Sequence, residues 1–315
     1  MKGIFFMNEK KHFLQKTWVV ALLALLCCVL WGSATPSIKK GYEIFGIVGN
    51  DYMSTILFAG IRFILAGILT VLIGSVIAKK PLLPKKSTMK YVLALSLVQT
   101  VIQYFFFYIG HAYASGVTAA IVNGSNVFIA ILVATFIFRT EKMTVKKAIG
   151  CILGFSGVIV VSMAKGDMGF TVMGAGFILM AALAYAFSSV MIKMYSKYEN
   201  PVTLSGWQFF IGGIIMTIFA LPMGGKFEIA EGAGFTAGAL LFYMACISAV
   251  AYSIWGLLMK YNDVSKVSIF GPFNPISGVI LSAIILGEWK SLGVEVILAL
   301  VLVASGILVI NYKKR

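Results

Sequence analysis

Apolar residues run through this chain in blocks of about twenty, each closed by a short polar or basic stretch. A helix needs roughly 20 mostly apolar residues to cross the ~30 Å hydrocarbon core of a bilayer. The pattern predicts ten such spans: Thr17–Ile38, Ser54–Ala78, Met89–Gly110, Val117–Phe138, Val145–Ala164, Met173–Tyr195, Thr203–Leu221, Phe235–Met259, Val264–Leu286 and Leu292–Tyr312. Membrane strands would be half that length with alternating polarity, so the spans are read as helices. The first block follows Lys2, Lys10, Lys11 and Lys16 and precedes "GSATPS", an order that imitates a secretory signal. Its apolar region continues to Ile38, longer than a cleaved signal carries, so it is read as the first span.

Composition agrees with the pattern. The chain is 60% hydrophobic and 12% charged, against about 25% charged in a soluble domain. The formal charge of +15 invites a nucleic-acid reading, but its distribution argues otherwise. With the N-terminus inside, one side of the membrane holds the four N-terminal lysines, Lys79, Lys80, Lys85, Lys86, Lys90, Arg139, Lys142, Lys146, Lys147, Lys193, Lys197, Lys260, Lys266 and the C-terminal Lys313, Lys314 and Arg315. The other side keeps only Lys39, Lys40, Lys165, Lys226 and Lys290. That is the positive-inside bias, and it predicts both termini in the cytoplasm. No nucleic-acid partner is expected. Cys27, Cys28, Cys151 and Cys246 all fall within spans, at spacings that give neither a disulfide framework nor a metal site.

The chain also matches itself. "VNGSNVFIAILVATFIFRTEK" from Val122 aligns without gaps with the stretch from Ile269, placing Gly124 on Gly271 and Glu141 on Glu288. "GIRFILAG" at Gly60 aligns with "GWQFFIGG" at Gly206, placing Phe63 on Phe209 and Gly67 on Gly213, and "SGVIVVS" at Ser156 aligns with "SGILVIN" at Ser305. Five spans per half is an odd number, so the second half must enter the membrane inverted. Inverted repeats typify secondary transporters, with the solute site near the midplane between the halves.

With "LWGSATPSIKK" in the first span, "RF" in the second, an acidic residue opening the last helix of each half (Glu141 and Glu288) and an "SG" plus aliphatic tail closing it, the chain resembles the EamA-type branch of the drug/metabolite transporter superfamily. The resemblance runs from about Trp18 to the end. It implies an all-α membrane fold of ten helices in two inverted five-helix repeats, 17–165 and 171–312, around a cavity lined mainly by helices 1, 3, 4, 6, 8 and 9. It also implies a bacterial inner-membrane exporter of amino acids or related metabolites. Two departures stand out: Tyr185 takes the place of Trp31 in the second half, and Gln208 that of Arg62.

Polar groups inside spans usually face a cavity or a neighbouring helix. The candidates are Trp31 in span one, Gln99, Gln103 and Tyr104 in span three, and Asn123 and Asn126 in span four. Tyr185 and Ser188 in span six, Tyr252 and Trp255 in span eight, and Asn274 in span nine complete the set. Aromatic faces with amides and hydroxyls suit a small organic solute. Pro272 and Pro275 are expected to kink span nine and free carbonyls for a cavity, with interhelical packing as the other reading. Gln99, Gln103 and Phe106 or Phe107 share a helical face by spacing.

Arg62 is the one permanently charged residue deep in a span, about 12 Å from its outer end. No acidic residue lies at its depth, so its partners must be carbonyls, aromatic faces, water or an anionic solute group. A structural role and a substrate or gate role both remain open. Glu141 and Glu288 sit at helix starts, where a carboxylate accepts backbone N–H bonds; a role in folding is expected of them. The three Asp lie in loops, His12 and His111 are the only histidines, and no nucleophile elbow or phosphate loop occurs, so neither an enzyme, a metal nor a cofactor is expected. Gly150, Gly154, Gly157 and Gly306 form small-residue faces that fit contact within one chain or a homodimer. The rival readings are a broad drug or cation exporter, which would favour an acidic cavity, and a non-transporting membrane scaffold or sensor, which needs no polar cavity.

Overall fold

The computed structural model describes residues 13–48, 50–139, 142–163, 171–262, 267 and 270–311. The described residues are all-helical, without a strand. In chain order the helices are α1 (Thr17–Ile44), α2 (Tyr52–Ala78), α3 (Lys86–Tyr113), α4 (Gly116–Ile137), α5 (Val145–Ser162), α6 (Val172–Tyr195), α7 (Pro201–Ala220), α8 (Gly234–Tyr261), α9 (Phe273–Leu286) and α10 (Val294–Asn311). Among the described residues nine are long and apolar enough to cross a membrane; α9 is shorter, at 14 residues.

Local chemistry sets the helix ends. Asp51 Oδ1 accepts from Ser54 N at 3.0 Å, Ser115 Oγ from Thr118 N at 3.0 Å, and Asn200 Oδ1 from Val202 N at 2.8 Å ahead of Pro201 in the first turn. Each side chain satisfies an N–H that has no partner within its own helix. Where a kink is expected at Pro272 and Pro275, the described residues pass from a turn at Phe270–Pro272 into α9. Pro272 is the N-cap of α9 and Pro275 falls in its first turn, where a missing N–H costs nothing. The prolines therefore stand at the start of α9, and of the predicted span Val264–Leu286 the described residues show Val267 helical, a turn at Phe270–Pro272 and the helix Phe273–Leu286.

The molecule is apolar outside and partly polar within. Leu22, Val76, Ile152, Ile159 and Val301 are exposed, whereas Arg62, Gln99, Gln103, His111, Gln208 and Ser248 are buried. This is the arrangement expected of a protein whose surroundings are lipid.

Helix contacts come in matched pairs. α2 packs along α7, and α5 along α10. α1 packs on α8 and α9 as α6 packs on α3 and α4, while α2 meets α8 as α7 meets α3. Glycines carry the closest approaches. A Cβ built on Gly67 would lie 2.7 Å from Gly206 O, and one on Gly213 2.7 Å from Gly60 O. The sequence match aligns Gly60 with Gly206 and Gly67 with Gly213, so each contact is the other's exchanged form. Between α5 and α10, a Cβ on Gly150 would lie 2.7 Å from Gly306 O and one on Gly306 2.6 Å from Gly150 O. These small-residue faces meet inside the chain.

Three helices depart from α geometry. Ser96–Ile102 in α3, Val133–Ile137 in α4 and Val172–Gly176 in α6 are π-helical, and α4 steps at Gly124 and Ser125 before resuming at Asn126.

Candidate functional site

Between the matched helices lies a cavity of about 220 Å³. α1 supplies Cys28, Trp31 and Ala34; α3 supplies Gln103, Tyr104 and Phe107; α4 supplies Asn123, Gly124, Asn126 and Val127. Tyr185 comes from α6, and Ile247, Ser248, Tyr252 and Trp255 from α8. Gly271, Asn274 and Pro275 close it at the start of α9, with Ile307 from α10 and Arg62 from α2.

The irregular backbone explains why these residues converge. α4 steps next to Asn123 and Asn126, and α9 begins beside Asn274, so the cavity lies beside two interruptions of helical hydrogen bonding. Asn126 Nδ2 donates to Asn123 Oδ1 at 2.8 Å. That bond leaves Asn126 Oδ1 buried without a partner, as are Gln103 Oε1 and Trp31 Nε1. A buried polar atom left unpaired costs about 1–3 kcal/mol, and these three belong to residues that line one cavity.

Aromatic rings form one wall. Trp31 meets Tyr252 and Trp255 edge-on at centroid distances of 5.7 and 5.1 Å. Tyr104 Oη and Tyr252 Oη lie 3.4 Å apart. Phe63 backs this wall, 4.1 Å from Tyr104 and stacked on Phe209 at 5.3 Å.

Arg62 is only 3% exposed and is held on three sides. Nε donates to Met244 O at 3.2 Å, Nη1 to Tyr108 Oη at 2.5 Å and Nη2 to Ser248 Oγ at 3.2 Å. Its guanidinium carbon lies 5.0 Å from the Phe63 ring centre. A carbonyl, hydroxyls and aromatic faces thus replace the missing carboxylate. Tyr108 is fixed in turn, since Tyr42 Oη donates to its carbonyl at 2.6 Å.

The structure brings together nine of the sequence candidates, Trp31, Gln103, Tyr104, Asn123, Asn126, Tyr185, Tyr252, Trp255 and Asn274, and adds Arg62 and Pro275. Arg62 corrects the expectation that span two stays off the cavity wall. Two candidates stand elsewhere. Gln99 accepts from Gln208 Nε2 at 2.6 Å, turned toward α7 because the π-helical turn displaces it from the face of Gln103. Ser188 is buried and spends its hydroxyl on Tyr185 O at 2.8 Å. Pro272 sits beside the cavity as a helix start.

Glu288 lies away from the cavity. Its two carboxylate oxygens accept from Gly116 N and Val117 N, each at 2.9 Å, capping the N-terminus of α4 rather than that of the helix it precedes. Glu141 lies outside the described residues. Sequence reasoning passed over Ser248, although Ser248, Tyr252 and Trp255 follow an i, i+4, i+7 spacing that marks one helix face. It also passed over the α1–α3 bond between Thr35 Oγ1 and His111 Nε2 at 3.3 Å, in which His111 Nδ1 donates to Phe107 O at 2.8 Å.

Comparisons with known proteins agree with this architecture. The EamA-like transporter family model matches residues 18–163 and 172–312. The uncharacterized transporter YvbV of Bacillus subtilis (strain 168) is 28% identical over 303 residues, covering 96% of this chain and 94% of that protein. A Salmonella typhimurium protein named as a probable amino-acid metabolite efflux pump is 26% identical over 275 residues, 84% of this chain and 86% of its own. A crystal structure with a TM-score of 0.60 and 16% identity covers 92% of this chain and 95% of that one, and shares its fold. Multi-pass, lipid-embedded and built around a polar cavity, the chain is a transporter rather than an enzyme, and it belongs to the EamA-like transporter family.

Proposed function

We propose that the protein is a secondary transporter of the bacterial inner membrane that exports small organic metabolites, amino acids or related compounds, by alternating access. Both termini are cytoplasmic, and ten helices form two inverted five-helix repeats, 17–165 and 171–312. The cavity residues Trp31, Gln103, Tyr104, Asn123, Asn126, Tyr185, Tyr252, Trp255 and Asn274 bind the solute.

The single observation that carries this reading is the cavity with its three unpaired buried polar atoms, on Trp31, Gln103 and Asn126. A donor and two acceptors among aromatic rings fit a small solute with an apolar part and a few polar groups. The exchange-related helix contacts and the two stretches matched by the family model support the repeats. Two near-equivalent halves provide the two arrangements, open inward and open outward, that rocking interconverts. The amino-acid class and the outward direction are supported by the name of the Salmonella relative. A cation exporter is disfavoured, because Arg62 is the one charged side chain among the described residues lining the cavity.

The test is a solute screen in proteoliposomes, with and without an imposed proton gradient. Accumulation or counterflow of amino acids by the purified protein is the expected result. Counterflow of organic cations alone would replace this reading with the drug-exporter one.

A further inference from the structure

Resting on the amino-acid reading above, we infer that Arg62 is the carboxylate receptor of the cavity, so that the solute must carry a free carboxylate at one end and a hydrogen-bond donor such as an ammonium at the other. A guanidinium has five N–H donors. Arg62 spends three, on Met244 O, Tyr108 Oη and Ser248 Oγ, and keeps one on each terminal nitrogen. The residue is 3% exposed and is one of the residues that line the cavity. Planar, charged and fixed by three bonds, it is preorganised for a carboxylate, which accepts charge-assisted bonds that a neutral amide cannot match.

The unpaired atoms sort by sign in a way that fits a zwitterion. Trp31 Nε1 is a donor and serves the anionic end or a substrate carbonyl. Gln103 Oε1 and Asn126 Oδ1 are acceptors and would receive an ammonium. With no acidic side chain among the described lining residues, a solute of net positive charge would meet Arg62 uncompensated.

The second half supplies a contrast. Gln208 holds the position that the sequence match assigns to Arg62, yet it is fully buried and does not line the cavity. Its side chain donates to Gln99 Oε1 at 2.6 Å and accepts from Thr100 Oγ1 at 3.1 Å. The charge therefore comes from one half only, and glutamine is a side chain this architecture already accommodates at the equivalent place.

The experiment uses the purified full chain and three matched probe series: the proteinogenic L-amino acids, their α-amides, and their deaminated acids. Thermal stabilisation and competition for counterflow are read for each. The expected result is that an amino acid which stabilises the protein loses at least tenfold in apparent affinity as its amide, and less as its deaminated acid. Arg62→Gln should lose the response to the amino acid while Arg62→Lys keeps part of it. An amide that binds as tightly as its amino acid, or an Arg62→Gln protein that keeps the amino acid's affinity, overturns the inference and leaves the amino-acid reading standing. If no probe stabilises or competes while another solute is transported, the amino-acid reading falls and takes this inference with it. The wild-type series decides the matter even if Arg62→Gln does not fold.

Discussion

Phe63 and Phe209 stack on each other, with ring centres 5.3 Å and planes 24° apart. The same sequence match that aligns Gly60 with Gly206 aligns these two rings, so residues that the match pairs meet each other at the α2–α7 crossing. The arrangement is possible only because glycine lets the backbones approach there.

That crossing should not tolerate bulk. A Cβ on Gly67 would lie 2.5 Å from Phe210 N as well as close to Gly206 O, and backbone cannot move aside as a side chain can. Gly67→Val should lower the melting temperature in detergent, at a cost of about 1–3 kcal/mol. Gly238→Ala in α8, where nothing lies within 4 Å, should be neutral or stabilising. Equal melting temperatures for Gly67→Val and the parent protein would remove the crossing from the account.

Glu288 should matter for stability and not for proton coupling. It places a charge on two N–H groups at the start of α4, where the helix dipole adds about 0.3–1 kcal/mol. Glu288→Gln keeps one acceptor and loses the charge, so a modestly lower melting temperature with an unchanged pH dependence of transport is expected. A stable variant that no longer responds to an imposed proton gradient would make Glu288 a coupling site.

Glu199, in the turn between α6 and α7, ties that turn to the start of α3. Partial burial pushes its carboxyl up, but Thr88 Oγ1 at 2.7 Å, Lys85 N at 3.1 Å, Asn200 N and the Lys85 charge outweigh this and hold it below the ordinary value of 4.5. A depressed carboxylate stabilises the fold fully above its unfolded-state value, and that contribution is lost as pH falls through the lower folded value. Melting temperature should therefore drop as the pH is taken below about 4.5, and Glu199→Gln should flatten that part of the profile. A parallel profile in the variant would show that Glu199 contributes nothing.

Much of this molecule is legible in the sequence because lipid imposes a simple rule: apolar blocks of spanning length become helices. Helix bounds differ where local chemistry overrides hydropathy, as at Pro272, the N-cap of α9. Around the cavity, polar residues within spans point to Gln103 and Asn126, which line it, whereas the helical face shared by Gln99 and Gln103 does not hold, because the π-helical turn at Ser96–Ile102 rotates what precedes Gln103. Ser248 was readable from its i+4 spacing to Tyr252, whereas the carbonyl of Met244 that receives Arg62 has no side-chain signature at all.

Asn126 separates solute binding from packing. Its Nδ2 donates to Asn123 Oδ1, and its own Oδ1 is buried and lacks a partner among the described residues, on a residue that lines the cavity. Asn126→Ala should cut transport about tenfold, the order expected for losing a hydrogen bond or two to a bound solute, with membrane abundance near normal. Abundance falling in step with transport would support a packing role.

The most direct test of alternating access around this cavity is sidedness. Single cysteines at Asn126 and Asn274, one from each half, are introduced after Cys27, Cys28, Cys151 and Cys246 are replaced, and are labelled with a membrane-impermeant thiol reagent from one face and then the other. Both positions should react from both faces, and a transported solute should protect both. Labelling confined to one face, or unaffected by the solute, would contradict alternating access around this cavity.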